Sequence, residues 1–371
     1  MSQPTPPAEQ WTIFKGNNHD PHDDIEERLP PAPSWRPFGQ DLSPGVSRRQ
    51  RRGETFQTRP EEVRMVNAAL YLRRPLLITG KPGTGKSSLA YAVATELQLG
   101  EVLYWPITTR TTLKEGLYTY DAIGRLQEVK QMEAAGDAAG LRSLVNDPQK
   151  VADYITLGPL GTALLPSKRP RVLLIDEIDK GDIDLPNDLL TIFEEGRFEI
   201  PELLRLERDD LTSSDAPRIK VQVRTAYHNR DPQELTYGDR QHSVTGGRIT
   251  CTEFPLVILT SNGERDFPPP FLRRCLRLTM QEPDLDQLEK IVAAHFQDTP
   301  IDQSQVRELI ETFMARRDGG REQLATDQLL NALFMVARER PEVGADREAL
   351  VRSLIADLGQ PLPTPPGPGK P

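Results

Sequence analysis

The chain has 371 residues, room for about two domains, and its 27% charged and 6% aromatic residues are ordinary for a globular protein. A net charge of −9 weighs against a general nucleic-acid binder, although a local basic stripe is compatible with it. No run of about 18 apolar residues occurs, so no membrane span is expected. The first residues lack a basic-then-apolar leader, and Cys251 and Cys275 form no CxxC, so neither a disulfide framework nor a zinc site is expected. The expected compartment is the cytoplasm.

Nine of the 34 prolines fall within residues 1–50 and six within residues 361–371. Proline-rich, mobile arms are therefore predicted over 1–54 and 359–371. His19 and His22 stand beside Asp20, Asp23 and Asp24, a pattern that reads as a solvated acidic tail rather than a metal site. Arg48, Arg49, Arg51 and Arg52 form a basic knot, read as a solvated linker or as a contact to phosphate or a neighbouring subunit.

Val63, Val66 and Leu70 recur at helical spacing and lead into Pro75-Leu76-Leu77-Ile78-Thr79, an apolar run that reads as a buried parallel strand. The next residues are Gly80, Lys81, Pro82, Gly83, Thr84, Gly85, Lys86, Ser87 and Ser88, and the run continues as an Ala/Leu/Val-rich helix to Leu97. They fit G-x-x-x-x-G-K-[ST] between a strand and a helix, the context in which backbone N–H groups cradle phosphates. Lys86 would reach the β- and γ-phosphates, and the Ser87 hydroxyl would ligate Mg²⁺.

A second strand is predicted at 101–105, closed by Pro106. Residues 117–165 exceed what simple strand–helix units need and carry helical runs at 122–135 and 140–145, a helical insert. Val172-Leu173-Leu174-Ile175-Asp176-Glu177-Ile178-Asp179 is then an apolar strand ending in carboxylates. Ligands in open parallel sheets bind at the carboxyl ends of strands, so Asp176 is placed to hold Mg²⁺ and Glu177 to polarise the attacking water. Together the two motifs predict a protein that hydrolyses ATP or GTP.

Residues 199–254 mix charge with alternation at 219–224 and a Gly246-Gly247 turn, which predicts a β-ribbon projecting from the core, with charge at Arg224, Arg230, Asp239 and Arg240. Leu256-Val257-Ile258-Leu259-Thr260 reads as another buried strand, ending at Ser261-Asn262. After Glu282-Pro283, residues 284–358 carry helical periodicity and predict a small all-α domain.

These pieces resemble the AAA+ ATPases, and more narrowly the MoxR family. Walker A is Gly80 to Ser87 and Walker B is Val172 to Glu177, while Asn262 matches the sensor 1 position. Pro268-Pro269-Pro270-Phe271-Leu272-Arg273-Arg274-Cys275 resembles the segment bearing the arginine finger. The family places that finger before an aromatic residue, which favours Arg274, with Cys275 in the aromatic position and Arg273 as the substitute. The stretches 106–112, 117–122 and 158–160 are MoxR-like as well. A sensor 2 arginine is not evident, although Arg321 lies in the relevant region.

The resemblance implies an α/β P-loop AAA+ core over 55–282, with a parallel sheet and helices on both faces, followed by an α-helical lid over 283–358. It implies ATP and Mg²⁺ as cofactors and a homo-oligomer, a hexameric ring, that remodels or matures a protein client such as a von Willebrand A-domain protein. Two other classes stand beside this chaperone-like reading. A nucleic-acid motor is opposed by the acidic charge, and a nucleotide-gated scaffold without turnover is opposed by the presence of Glu177.

Overall fold

The computed structural model describes residues 25–29, 32–33, 53, 55–210, 219–227, 240–296, 303–318, 324–338 and 354–355. His19, His22, the arginines at 48, 49, 51 and 52, Arg230, Asp239 and Arg321 lie outside the described residues.

Five short strands form one all-parallel sheet: β1 (Leu76–Thr79), β2 (Leu103–Pro106), β5 (Val172–Asp176), β10 (Leu256–Ser261) and β11 (Leu276–Thr279), in the order β11-β1-β10-β5-β2. Side chains alternate between the faces of a strand, and here both faces are covered, so the strands are continuous apolar runs. Leu76, Ile78, Val172, Leu174, Leu256 and Ile258 enter one buried cluster, with Val66 and Ala69 of the helix Pro60–Leu72 and Leu89, Ala90 and Val93 of the helix Lys86–Glu96. Leu77, Leu103, Trp105, Leu173, Ile175, Val257 and Leu259 enter the other, with Leu160 and Ala163 of the helix Pro159–Ala163 and Leu189 and Phe193 of the helix Leu185–Glu195. Helices thus cover both faces of the parallel sheet, an α/β core.

The insert folds as helices Ala122–Ala135, Ala138–Asn146 and Pro148–Ala152, the first and second capped by the Asp121 and Asp137 carboxylates, each accepting a backbone N–H at 2.8 Å. None of the Ala122–Ala135 helix is buried.

The segment predicted as a projecting ribbon is arranged differently. Its strands β6 (Arg197–Glu199), β7 (Lys220–Arg224), β8 (Gln241–Thr245) and β9 (Arg248–Thr250) join β3 (Tyr118–Tyr120) and β4 (Ile155–Leu157) in a six-stranded sheet, order β3-β4-β7-β8-β9-β6. Phe198, Val221, Val223, Val244 and Ile249 are buried in the same cluster as Leu173 and Val257 of the first sheet. The 219–224 alternation is therefore the signature of a half-buried strand: Lys220, Gln222 and Arg224 face out while Val221 and Val223 face in. Gly246 and Gly247, at φ 59° and 64°, make the two-residue turn between β8 and β9, a conformation that favours glycine.

Cα packing divides the chain into two compact units, the larger spanning 41–81 and 85–281 and the smaller containing 82–84 and 282–371. In the smaller, helices Leu285–His295, Gln303–Asp318 and Thr326–Arg338 enclose Leu288, Val292, Ile310, Phe313, Leu329 and Leu333. Arg317, also buried, donates to the Pro283 carbonyl at 2.8 Å. Among the described residues no helix is long and apolar enough to cross a membrane.

Candidate nucleotide site

Strand order places the site. β10 lies between β1 and β5, so Ser261 and Asn262 emerge between the loop that follows β1 and the carboxylates that end β5. Gly80, Gly83 and Gly85 all have positive φ, at 152°, 77° and 87°, which bends the loop as a phosphate cradle requires. At Gly85 the space is also closed, because an added Cβ would lie 2.8 Å from Phe56 Cε2. The helix Lys86–Glu96 starts directly after it, with its first N–H groups at the loop.

Lys86 is buried, and its ammonium donates to the carbonyls of Gly80 at 2.7 Å and Lys81 at 2.8 Å. Burial pushes its pKa down, and the nearby carboxylates of Asp179, Asp176 and Glu177 act against that shift.

Asp176 is the centre of a hydroxyl cluster. Ser87 Oγ and Thr260 Oγ1 each donate to its Oδ1 at 2.6 Å, and Tyr104 OH donates to its Oδ2 at 3.2 Å. Thr260 Oγ1 in turn accepts the Glu177 N–H at 2.9 Å. Glu177 holds a left-handed backbone, φ 58° and ψ 50°, which costs a non-glycine residue on the order of 1–2 kcal/mol. That turn ends the strand and sets the Glu177 side chain beside Asn262, whose Nδ2 donates to Oε1 at 3.5 Å. The other oxygen, Oε2, accepts from Lys180 Nζ at 2.9 Å, and this hydrogen bond is the main reason the Lys180 pKa is raised. Asp179, three residues past Asp176, is 4% exposed, and its Oδ2 accepts the backbone N–H groups of Asn262 and Glu264 at 3.0 and 3.1 Å.

Ser87, Asp176, Glu177 and Asn262, all singled out in the sequence, therefore meet at one place. The donor set also suits Mg²⁺, a hard cation that takes one or two carboxylates and completes its octahedron with phosphate and water oxygens. Ser87 Oγ and Asp176 Oδ1, 2.6 Å apart, are such hard oxygens. Among the described residues no group of three His, Cys, Asp or Glu forms a metal cage of its own. Sequence reasoning missed Tyr104, Thr260, Asp179 and Lys180 as members of the site. Thr260 and Tyr104 read as strand residues, and only the parallel register brings their hydroxyls to Asp176.

The two arginines do not join this cluster and differ from each other. Arg274, at the end of the helix Pro269–Arg274, donates through Nε to Glu194 Oε1 and through a guanidinium nitrogen to the Pro270 carbonyl at 3.2 Å. The Arg273 side chain is exposed and makes no hydrogen bond or ion pair among the described residues; only its carbonyl is engaged, accepting from Arg74 at 3.4 Å. The triple proline before them supplies the first turn of this short helix, where a missing N–H costs nothing.

Comparison with known proteins bears on residues 75–241, which match the family model described as AAA domain (dynein-related subfamily). No curated protein matches the chain. Among solved structures, domain III from the Thermotoga maritima replication initiation protein DnaA is similar at 15% identity and a TM-score of 0.37, over 82% of this chain and 95% of that one. The replication initiator DnaA bound to AMPPCP and single-stranded DNA is similar at 13% identity and a TM-score of 0.36, over 80% of this chain and 67% of that one. The match to the AAA domain model spans the glycine loop after β1 and the paired acids after β5.

Proposed function

We propose that the protein hydrolyses ATP with Mg²⁺ and, as a ring of its own copies, uses the cycle to remodel or mature a protein partner, in the manner of the MoxR family. The observation that carries the hydrolytic part is the convergence of Ser87, Asp176, Glu177 and Asn262 at adjacent strand ends. Phosphoryl transfer to water needs positioning and charge neutralisation rather than covalent help. The loop amides from Gly80 to Ser88 and Lys86 would bind the phosphates, Lys86 turning from the loop carbonyls to the β- and γ-phosphates. Ser87 and Asp176 would hold Mg²⁺, which when bound neutralises phosphate charge. Glu177 would take the proton of the attacking water, with Asn262 holding that water near the γ-phosphate.

Arg273 is the better candidate for an arginine acting on a neighbour's ATP. Arg274 is tied within its own subunit to Glu194 and Pro270, whereas the Arg273 guanidinium is exposed. A six-membered ring and a client of the von Willebrand A-domain kind follow from the family resemblance.

Mixing variants tests this reading. Turnover per chain should rise with protein concentration, because ATP bridging two copies favours the assembly. Arg273→Ala should bind ATP and hydrolyse it about 10³-fold more slowly or worse, the scale of a trans arginine. Lys86→Ala should bind ATP more weakly. Mixed together, the two should regain activity, since an intact loop then meets an intact arginine. Flat specific activity across concentration, and a dead mixture in which mixed rings do form, would contradict the proposal.

A further inference from the structure

We infer that Asp179 is a positioning residue for ATP hydrolysis: its buried carboxylate pins the backbone at Asn262 and Glu264 and so holds Asn262 against Glu177. This rests on the hydrolase reading above and adds to it the residue that holds the Asn262 loop in place.

The argument begins where a strand runs out. β10 ends at Ser261, which pairs with Thr79 of β1, and beyond it the backbone has left the ladder. A buried or half-buried N–H there needs another acceptor. The three successive amides are all met by side chains. Asn262 N–H and Glu264 N–H donate to Asp179 Oδ2, and Gly263 N–H donates to Ser261 Oγ at 3.0 Å. Two of three thus depend on a single oxygen from the neighbouring strand's exit.

Asp179 is itself held firmly. It lies in the 3-10 turn Ile178–Lys180 that the left-handed Glu177 initiates, and that turn closes through the Lys180 N–H to Glu177 carbonyl bond at 2.9 Å. The residue is 4% exposed, and Oδ1 is buried with no hydrogen-bond partner. A carboxylate kept in such a place must be offset by what it accepts, and both N–H groups belong to the Asn262 loop. Glu177 and Asp179 therefore stand on one short turn: the first presents its carboxylate to the Asn262 side chain, and the second fixes the Asn262 main chain. With Asp179 removed, the loop keeps its strand but loses its height, and the 3.5 Å contact from Asn262 Nδ2 to Glu177 Oε1 goes with it.

The test uses the full chain and begins with wild-type turnover; its absence would remove the hydrolase reading itself, separately from this one. With turnover present, Asp179→Ala should lower kcat at least about tenfold while ATP Kd stays within about threefold, the split expected when only transition-state positioning is lost. Asp179→Asn, whose amide oxygen still accepts, should retain kcat within about fourfold of wild type. Adding Asp179→Ala to Asn262→Ala should slow turnover by less than about twofold beyond Asn262→Ala alone, because both act through one contact. Losses that multiply in the double variant, or an ATP affinity that falls as far as kcat, would overturn the inference. Should Asp179→Ala fail to fold, Asp179→Val, closer in shape and without an acceptor, serves in its place. Its fall in kcat should appear in the wild-type background and vanish beside Asn262→Ala, and persistence there would overturn the inference equally.

Discussion

The two sheets of the α/β unit share one buried cluster yet treat polar side chains in opposite ways. At the tips of the parallel sheet, Asp176 is bonded by hydroxyls from Ser87, Thr260 and Tyr104, three different elements drawn in by strand crossovers. In the six-stranded sheet the paired charges lie outside: Arg248 and Glu199 face each other across β6 and β9 at 3.3 Å, with side chains 50% and 58% exposed. An exposed pair of that kind contributes at most about 1 kcal/mol. Polar side chains thus mean different things: at the tips of the first sheet they form a site because β1, β10 and β5 end side by side, and the Arg248–Glu199 pair of the second solvates a face. The second sheet's contribution is its inner surface, which backs the strands that carry the site.

That contrast predicts separable failures. Val223→Ala, at a position 1% exposed on the inner face of β7, should cost about 2 kcal/mol of stability, read as a lower denaturation midpoint. Its turnover per folded chain should stay at the wild-type value. A large fall in kcat without a fall in stability would break the comparison, since the second sheet would then be acting on the chemistry. Thr260→Val should do the reverse. The substitution keeps shape but removes the group that both donates to Asp176 and accepts from Glu177 N–H. Turnover should drop roughly tenfold, equivalent to about 1.4 kcal/mol, with a greater demand for Mg²⁺ in ATP binding. Unchanged Mg²⁺ dependence would show that Asp176 keeps its orientation without Thr260.

Legibility in the sequence followed the range of the contacts. Gly80 to Ser88 could be read because a phosphate cradle is contiguous, and its flanking strand and helix are declared by nearby residues. Asp176 and Glu177 were visible for the same reason, an apolar strand running into acids. The six-stranded sheet was not legible as a sheet. β3 and β4 have three residues each, too few to show a period, and they come from a segment that otherwise reads as helical. Val221 and Val223 did show their alternation, but nothing local says which surface they meet. Asp179 and Lys180 were hidden because their roles depend on the left-handed turn at Glu177, a conformation that no local residue preference announces. The difference between Arg273 and Arg274 needed Glu194, 80 positions away in the chain.

The central claim is that Glu177 is the base for ATP hydrolysis at this site, and Glu177→Gln measured for both binding and turnover tests it most directly. The amide keeps the size of the side chain and its place beside Asn262 but loses basicity. The account predicts that ATP Kd with Mg²⁺ remains within about threefold of wild type while kcat falls by at least about 100-fold, the range over which general-base catalysis acts. Wild-type turnover in the variant, or a loss of ATP binding as large as the loss of turnover, would contradict it.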